Sequence, residues 1–240
     1  MPDVFSRSIK YVKGVGEARA KILSRLGIRQ VSDMVNYFPR GYEDRTVQKS
    51  IAEVIDGEEC TIMARLISGV TETKPRKNLT VSRAVVSDHT SVMNVVWFNQ
   101  KYTAQNLRTG TEYYFFGKIK RNGMLLEMHN PIVEEAGRGR KTTGRILPVY
   151  PLTKGLTQNN VRNIMENALK TAQGRFEEIL PWELRKKYKL SEINYSIKNI
   201  HFPDSEKDFE NARYRLVFEE LLLLQLGLMT IKNSLGESKK

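Results

Sequence analysis

Residues 92–102, VMNVVWFNQKY, read as a β-strand that runs out into solvent carrying an aromatic pair. Val92, Val95 and Trp97 belong to a β pattern, whereas Asn99, Gln100, Lys101 and Tyr102 supply amides, a cation and a phenol in a row. Strand alternation points Trp97 into a core and Phe98 away from it. If the chain turns helical from Gln100, Phe98 and Tyr102 lie one turn apart and face the same way. Every nucleobase offers a π face, so such a pair beside Lys101 suits unpaired or frayed ends without reading their sequence. The same spacing also suits two rings buried in a barrel.

Outward from this stretch, the β signal covers residues 59–135: CTIMARLISGV, TVSRAVVSD, VMNVVWFN, TEYYFFGKIK and MLLEMHNPIVEE give five expected strands. Asn122-Gly123 marks a two-residue hairpin between the last two. Residues 71–79, with Lys74, Pro75, Arg76 and Lys77, read as a basic loop between strands one and two. Residues 100–107 have room for one or two helical turns between strands three and four. Five strands with a helix inserted there match the order of an OB-fold, whose strand two to three face and flanking loops bind oligonucleotides or oligosaccharides. A generic small barrel or sandwich is the alternative. Lys118 and Lys120, on the fourth strand, add cations to this middle segment.

The flanks are helical, which makes the fold class α+β: a five-stranded OB barrel between an N-terminal helix-hairpin-helix-like region and a C-terminal helical region with a long helix. Residues 9–28, IKYVKGVGEARAKILSRLGI, read as a short helix, a Gly14-Val15-Gly16 turn and a second helix from Glu17 to Leu26 closed by Gly27. Glycines there allow close approach to a phosphate at a helix start, with Lys13 and Arg19 beside it; a hairpin that only packs is the alternative. Ser32 is the expected N-cap of another short helix, stopped by Pro39, and residues 41–45, GYEDR, read as a polar connection. GRGRKTTGR, residues 137–145, reads as a cationic linker or solvated loop. Helices follow at 157–172, with Thr157 capping, at 181–188, and from Asp208 to about Lys232. The last contains RLVFEELLLLQLGLMTIK, apolar on more than one face and interrupted by Glu219, Glu220 and Gln225, so burial by other protein fits it better than a bilayer.

Composition bounds the rest. The chain has 240 residues and a formal net charge of +12, which favours a polyanionic partner. Residues 1–50 carry ten basic against five acidic side chains, residues 51–135 ten of each, and residues 136–145 four against none, so the basic excess flanks a neutral middle. One cysteine, Cys60, excludes a disulfide framework within the chain, and His89, His129 and His201 lack ligand spacing. A reduced cytoplasm is the expectation, with neither signal peptide nor membrane span. No GxxxxGK[ST] occurs, so the phosphate loop of an ATPase is missing, and no ATP or metal is expected to bind these residues. Glu43, Asp44 and Asp88 are carboxylates a metal-dependent nuclease could use, but they form no paired motif.

Seven ordered segments, KGVGEARAKILSRLGI, YFPRGYEDR, VVWFNQKY, PVYPLTKGLTQNNVRNIM, ILPWELRKKYKL, IHFP and ARYRLVFEELLLLQLGL, give residues 9–231 a resemblance to the N-terminal wedge portion of the bacterial RecG helicases, which remodel stalled forks and other branched DNA. The resemblance implies a division into a helical region at 1–50, an OB wedge at 51–135, a linker and helical segment at 136–207, and a long helix at 208–240 leading to motor domains that hold ATP and Mg²⁺. It implies that Phe98 and Tyr102 stack on parted bases at the branch point. Lys74, Arg76, Lys77, Lys101, Lys118 and Lys120 are then the expected backbone contacts, with Lys13, Gly14, Gly16 and Arg19 a weaker set. The expected partner is branched DNA, including forks and three- and four-way junctions, bound by a monomer; a single-strand-binding protein is a further possible partner. The sequence departs from the family at Asp88-His89-Thr90-Ser91, where a glycine turn is usual. Two other classes stay open on the residues alone: an independent single-stranded DNA or RNA-binding OB protein, and an OB scaffold for another protein.

Overall fold

A computed structural model describes residues 3–100, 106–123, 125–137 and 143–237. The chain divides into two compact units, one of residues 44–147 and one that joins residues 1–43 to 148–240. The helical segments that flank the barrel in sequence therefore share one unit. β1 (Gly41–Asp44) and β9 (Ile146–Val149) pair as a two-stranded sheet.

In the barrel unit the strands are β2 (Gln48–Lys49), β3 (Glu59–Leu66), β4 (Thr71–Arg76), β5 (Leu79–Ser87), β6 (Val92–Phe98), β7 (Glu112–Asn122) and β8 (Leu125–Glu135). Their order is β2-β3-β7-β8-β6-β5-β4, and a further β3–β5 pairing closes the ring. Taking β3, β5, β6, β7 and β8 as strands one to five, every neighbour is that of an OB barrel, including the parallel pairing of β6 with β8. Period-two alternation fills the interior: Ile62, Ala64 and Leu66 of β3, Ala84 and Val86 of β5, Met93, Val95 and Trp97 of β6, Phe115 and Ile119 of β7, and Met128 of β8. Trp97 is fully buried, and its Nε1–H donates to Pro131 O at 3.0 Å, which satisfies the only polar atom of the side chain.

Three expectations for this unit need correction. The segment expected as a basic loop, Thr71–Arg76, is a strand, β4, exposed at every residue and lying at the sheet edge, where Pro75 falls in an irregular stretch between Thr73 and Arg76. GYEDR is mostly strand β1 rather than a connection. Asn122 pairs with Leu125, so Gly123, at φ 63°, is the first residue of the hairpin loop rather than the second. The expected helical turns at 100–107 and most of the cationic linker fall on residues 101–105 and 138–142, outside the described residues.

The hairpin between β5 and β6 shows how the chain turns without glycine. Asp88 Oδ1 accepts from the Thr90 N–H, the Thr90 hydroxyl and the Ser91 N–H at 2.6–2.9 Å, while Oδ2 accepts from the Ile51 N–H at 2.7 Å. Burial pushes this carboxyl up, but the hydrogen bonds from Thr90, Ile51 and Ser91 outweigh it and hold its pKa down at about 2. The side chain supplies the turn that a left-handed glycine would otherwise make.

In the helical unit the helices are α1 (Glu17–Ser24), α2 (Val31–Val35), α3 (Gln158–Ala172), α4 (Trp182–Tyr188), α5 (Ile193–His201) and α6 (Glu206–Glu237). Val161, Ile164, Met165, Ala168 and Ala172 make one stripe of α3, and Thr157 caps it by accepting the Asn160 N–H at 3.2 Å. That stripe packs with Leu23, Val31, Met34 and Tyr150. The N-cap of α2 lies two residues earlier than expected, at Gln30 rather than Ser32, with the Asp33 carboxylate accepting the Arg29 and Gln30 N–H groups. α5 had no counterpart in the sequence pattern. Its last residue, His201, is fully buried, with Nε2 against Val35 O at 2.8 Å, Nδ1 against the Tyr150 hydroxyl at 3.0 Å, and its ring stacked on Phe38 and Tyr150. Arg215 on α6 is also buried and bridges Glu178 at 2.7 Å and Glu219. Beyond it α6 exposes Leu221, Leu223, Leu224, Leu226 and Leu228.

Candidate nucleic-acid interface

The strand registers carry side chains across the barrel in rows on its outer face. Thr73 on β4, Val81 on β5 and Phe98 on β6 are paired in one row. Thr71, Arg83, Val96, His129 and Lys118 form the next, crossing β4, β5, β6, β8 and β7. Val85, Asn94, Glu127 and Lys120 form a third. Paired residues point to the same side of the sheet, so Phe98, Lys118 and Lys120 all point outward, away from the core. Lys118, Lys120 and Arg83 are exposed, whereas the Glu127 carboxylate is buried among the rows.

Phe98 is the last residue of β6 and is half-buried, not fully exposed as the sequence suggested, because its ring meets the His129 ring at 5.2 Å and 70°. Its backbone N–H donates to Asn130 Oδ1 at 2.8 Å. Asn99 follows in the left-handed region, φ 55°, where its N–H donates to Thr80 O and its Oδ1 accepts the Thr80 N–H. The strand is thus stopped sharply at the aromatic. Lys101 and Tyr102 lie outside the described residues.

Lys74, Arg76 and Lys77 all lie on the exposed β4–β5 hairpin, whose loop is Lys77-Asn78 between paired Arg76 and Leu79. Lys74 follows Thr73, so regular alternation would turn it away from the Phe98 row, and only the irregularity before Arg76 alters that. Arg83 was missed as a candidate. Its signal was present in the alternation of residues 81–86, VSRAVV, which puts Ser82, Ala84 and Val86 inside and Arg83 outside.

The glycine hairpin lies in the helical unit. Its first element is a single 3-10 turn, Ile9–Tyr11, rather than a helix. Gly14 has φ 90°, which only glycine adopts freely, and its carbonyl accepts from Arg19 Nη1 at 2.6 Å. The Lys13 carbonyl accepts from Asn167 Nδ2 at 2.9 Å, and Val12 and Val15 are buried in the helical core. Gly16 is the N-cap of α1. Packing thus accounts for the glycine turn, with Lys13 and Arg19 themselves on the surface. The carboxylates considered for a nuclease also have structural uses: Asp44 accepts from the Thr46 N–H and hydroxyl, Glu43 lies 3.8 Å from Arg162, and Asp88 forms the β5–β6 turn.

A closed five-strand OB barrel that carries Arg83, Lys118 and Lys120 on its outside and an aromatic at the end of β6 defines a module of the oligonucleotide- and oligosaccharide-binding class. Within that class the chain belongs to the RecG wedge domain family, whose model matches residues 8–172. The ATP-dependent DNA helicase RecG of Thermotoga maritima is 36% identical over 231 residues, which are 95% of this chain and 29% of that protein. RecG of Synechocystis sp. is 32% identical over 227 residues, 88% of this chain and 27% of that protein. A solved structure of RecG bound to a three-way DNA junction superposes with a TM-score of 0.84 at 34% identity, covering 98% of this chain and 32% of that one. The chain therefore spans about three-tenths of the length of these relatives.

Proposed function

We propose that this chain recognises branched DNA as part of a fork-remodelling, ATP-dependent helicase, binding forks and junctions by shape, charge and base stacking rather than by sequence. The observation that carries the proposal is the placement of Phe98 at an abruptly ended strand, pointing out from the barrel as Arg83, Lys118 and Lys120 do. In this proposal Phe98 and Tyr102 stack on bases parted at the branch point, while Arg83, Lys118, Lys120 and the hairpin residues Lys74, Arg76 and Lys77, with Lys101, meet phosphates. Each stacked base contributes about 1–3 kcal/mol, and each neutralised phosphate releases counterions. A rigid barrel between the arms holds the parted strands apart.

ATP, Mg²⁺ and strand movement belong, in this proposal, to parts of the parent protein that these 240 residues do not span. The leucines along α6 support it, since further chain packing on them would remove apolar surface from water. One copy acts on one junction, in the cytoplasm with the nucleoid, and a single-strand-binding protein would compete for the same barrel face. Among the described residues no helix is long and apolar enough to cross a membrane.

The test is a comparison of substrates at fixed salt. A three-way junction should bind more tightly than a linear single strand of equal length, without magnesium and without ATP hydrolysis. Equal affinity for both would favour an independent single-strand-binding module.

A further inference from the structure

Three consecutive residues of β8 hold the end of β6. Pro131 O accepts the Trp97 indole N–H, Asn130 Oδ1 accepts the Phe98 backbone N–H, and the His129 ring meets the Phe98 ring. The β6–β8 ladder pairs Asn94, Val95 and Val96 with Glu127, Met128 and His129. Phe98 lies beyond it, so a side chain provides for its N–H what the ladder does not.

Building this arrangement is costly for the backbone. Asn130 sits in the left-handed region, φ 46°, where a residue with a Cβ is strained but Asn is tolerated better than most. Opposite it the β7–β8 register shifts between Phe116 and Lys118. The residue between them is Gly117, and a Cβ there would come within 2.9 Å of Met128 Cγ and 3.1 Å of both His129 O and Pro131 Cα. Gly117 lets β8 press inward at the step where Asn130 turns its amide towards Phe98. Behind the His129 ring, Nε2 lies 3.6 Å from the buried carboxylate of Glu127.

We infer that His129 and Asn130, admitted by Gly117, are positioning residues for the wedge aromatic: they fix the backbone and ring of Phe98 in place before DNA arrives. The inference rests on the stacking role proposed for Phe98. A terminal strand residue with an unheld N–H would fray, and ordering it would then be charged against binding; a ring already held avoids that loss.

The experiment is a double-mutant cycle on the whole chain, reading junction affinity relative to linear duplex at one salt concentration. Asn130→Gly keeps the left-handed backbone accessible and deletes the acceptor; Asn130→Asp keeps an acceptor oxygen and tolerance of that conformation. The expected result is that Asn130→Gly weakens junction binding about five- to tenfold when Phe98 is present and not at all beside Phe98→Ala, since its only route is through the ring. Asn130→Asp should show no such coupling, and the salt slope should not move for Asn130→Gly. His129→Ala should couple to Phe98 in the same sense and serves as the second variant if Asn130→Gly lowers the melting temperature enough to compromise folding. Losses that multiply independently with Phe98→Ala, or coupling as strong for Asn130→Asp as for Asn130→Gly, overturn the clamp. If Phe98→Ala by itself costs nothing, the stacking role fails and the clamp falls with it. That outcome is distinct from a failed clamp, which leaves Phe98→Ala costly.

Discussion

The outer face of the barrel and the glycine hairpin of the helical unit offer the same chemistry in sequence, lysines and arginines close to turns, yet the structure bonds them differently. On the barrel, Arg83, Lys118 and Lys120 stand exposed, and their registers turn them outward from the core as Phe98 is. In the hairpin, Arg19 is bonded to the Gly14 carbonyl, the Lys13 carbonyl is held by Asn167, and the turn is anchored by Val12 and Val15. Residue type alone does not tell the two regions apart; in the hairpin the Arg19 guanidinium and the turn carbonyls are already bonded within the protein.

The largest effect that would sharpen this contrast lies within the barrel itself. Trp97→Ala opens a cavity at a fully buried position and should lower stability by roughly 3–5 kcal/mol in a thermal or denaturant melt. Its neighbour Phe98 should carry binding instead. If Trp97→Ala stays fully stable and loses DNA, the register of β6 is inverted by one residue.

In the helical unit the sensitive quantity is stability against pH. Burial depresses the His201 pKa to about 4, with the Val35 hydrogen bond opposing the shift only in part. The folded state therefore favours the neutral ring. Its contribution is fully present above the unfolded value of about 6.5 and is lost as pH falls from there towards 4, amounting to up to roughly 3 kcal/mol. Replacing His201 by Gln should flatten the stability profile between pH 7 and 4, measured by chemical denaturation; an unchanged profile would place the acid sensitivity elsewhere.

Salt dependence separates the two regions directly. With about four to six phosphates met, log K for a junction should fall against log salt with a slope of roughly −3 to −5. Changing Arg83, Lys118 and Lys120 together to Ala should flatten that slope by about 2–3, and changing Lys74, Arg76 and Lys77 should do so similarly, across all DNAs alike. The smallest effect belongs to the hairpin: Lys13→Ala should leave the slope unchanged, and Arg19→Ala should cost about 0.5–1.5 kcal/mol of stability through the lost Gly14 bond while leaving binding alone. A flattened slope for Lys13→Ala with an unchanged one for the barrel triples would reverse the comparison.

The barrel was legible because its strands alternate cleanly: residues 92–98 place Trp97 and Phe98 on opposite faces with no knowledge of their partners. The Thr157 cap and the long apolar helix were equally local signals. What escaped depends on distant or side-chain-specific events. β4 hides in a charged, proline-containing segment because an exposed edge strand needs no apolar alternation. β1 is recognisable only through β9, about a hundred residues later in the chain. The β5–β6 turn lacks glycine because the Asp88 carboxylate does that work, and α5 is held by His201, whose partners Val35 and Tyr150 lie far off in sequence. Phe98 was placed on the correct face but read as open, since nothing in the sequence announces that His129 and Asn130 lean on it.

The central claim is that Phe98, with Tyr102, binds parted bases while its neighbour Trp97 holds the barrel. Its most direct test is junction affinity of the Phe98→Ala, Tyr102→Ala double variant alongside its melting temperature. The expected result is a nearly unchanged melt and a loss of about 1–3 kcal/mol per stacked base, greatest on junctions and smaller on linear duplex. A double variant that folds normally and binds junctions as tightly as the parent would contradict it.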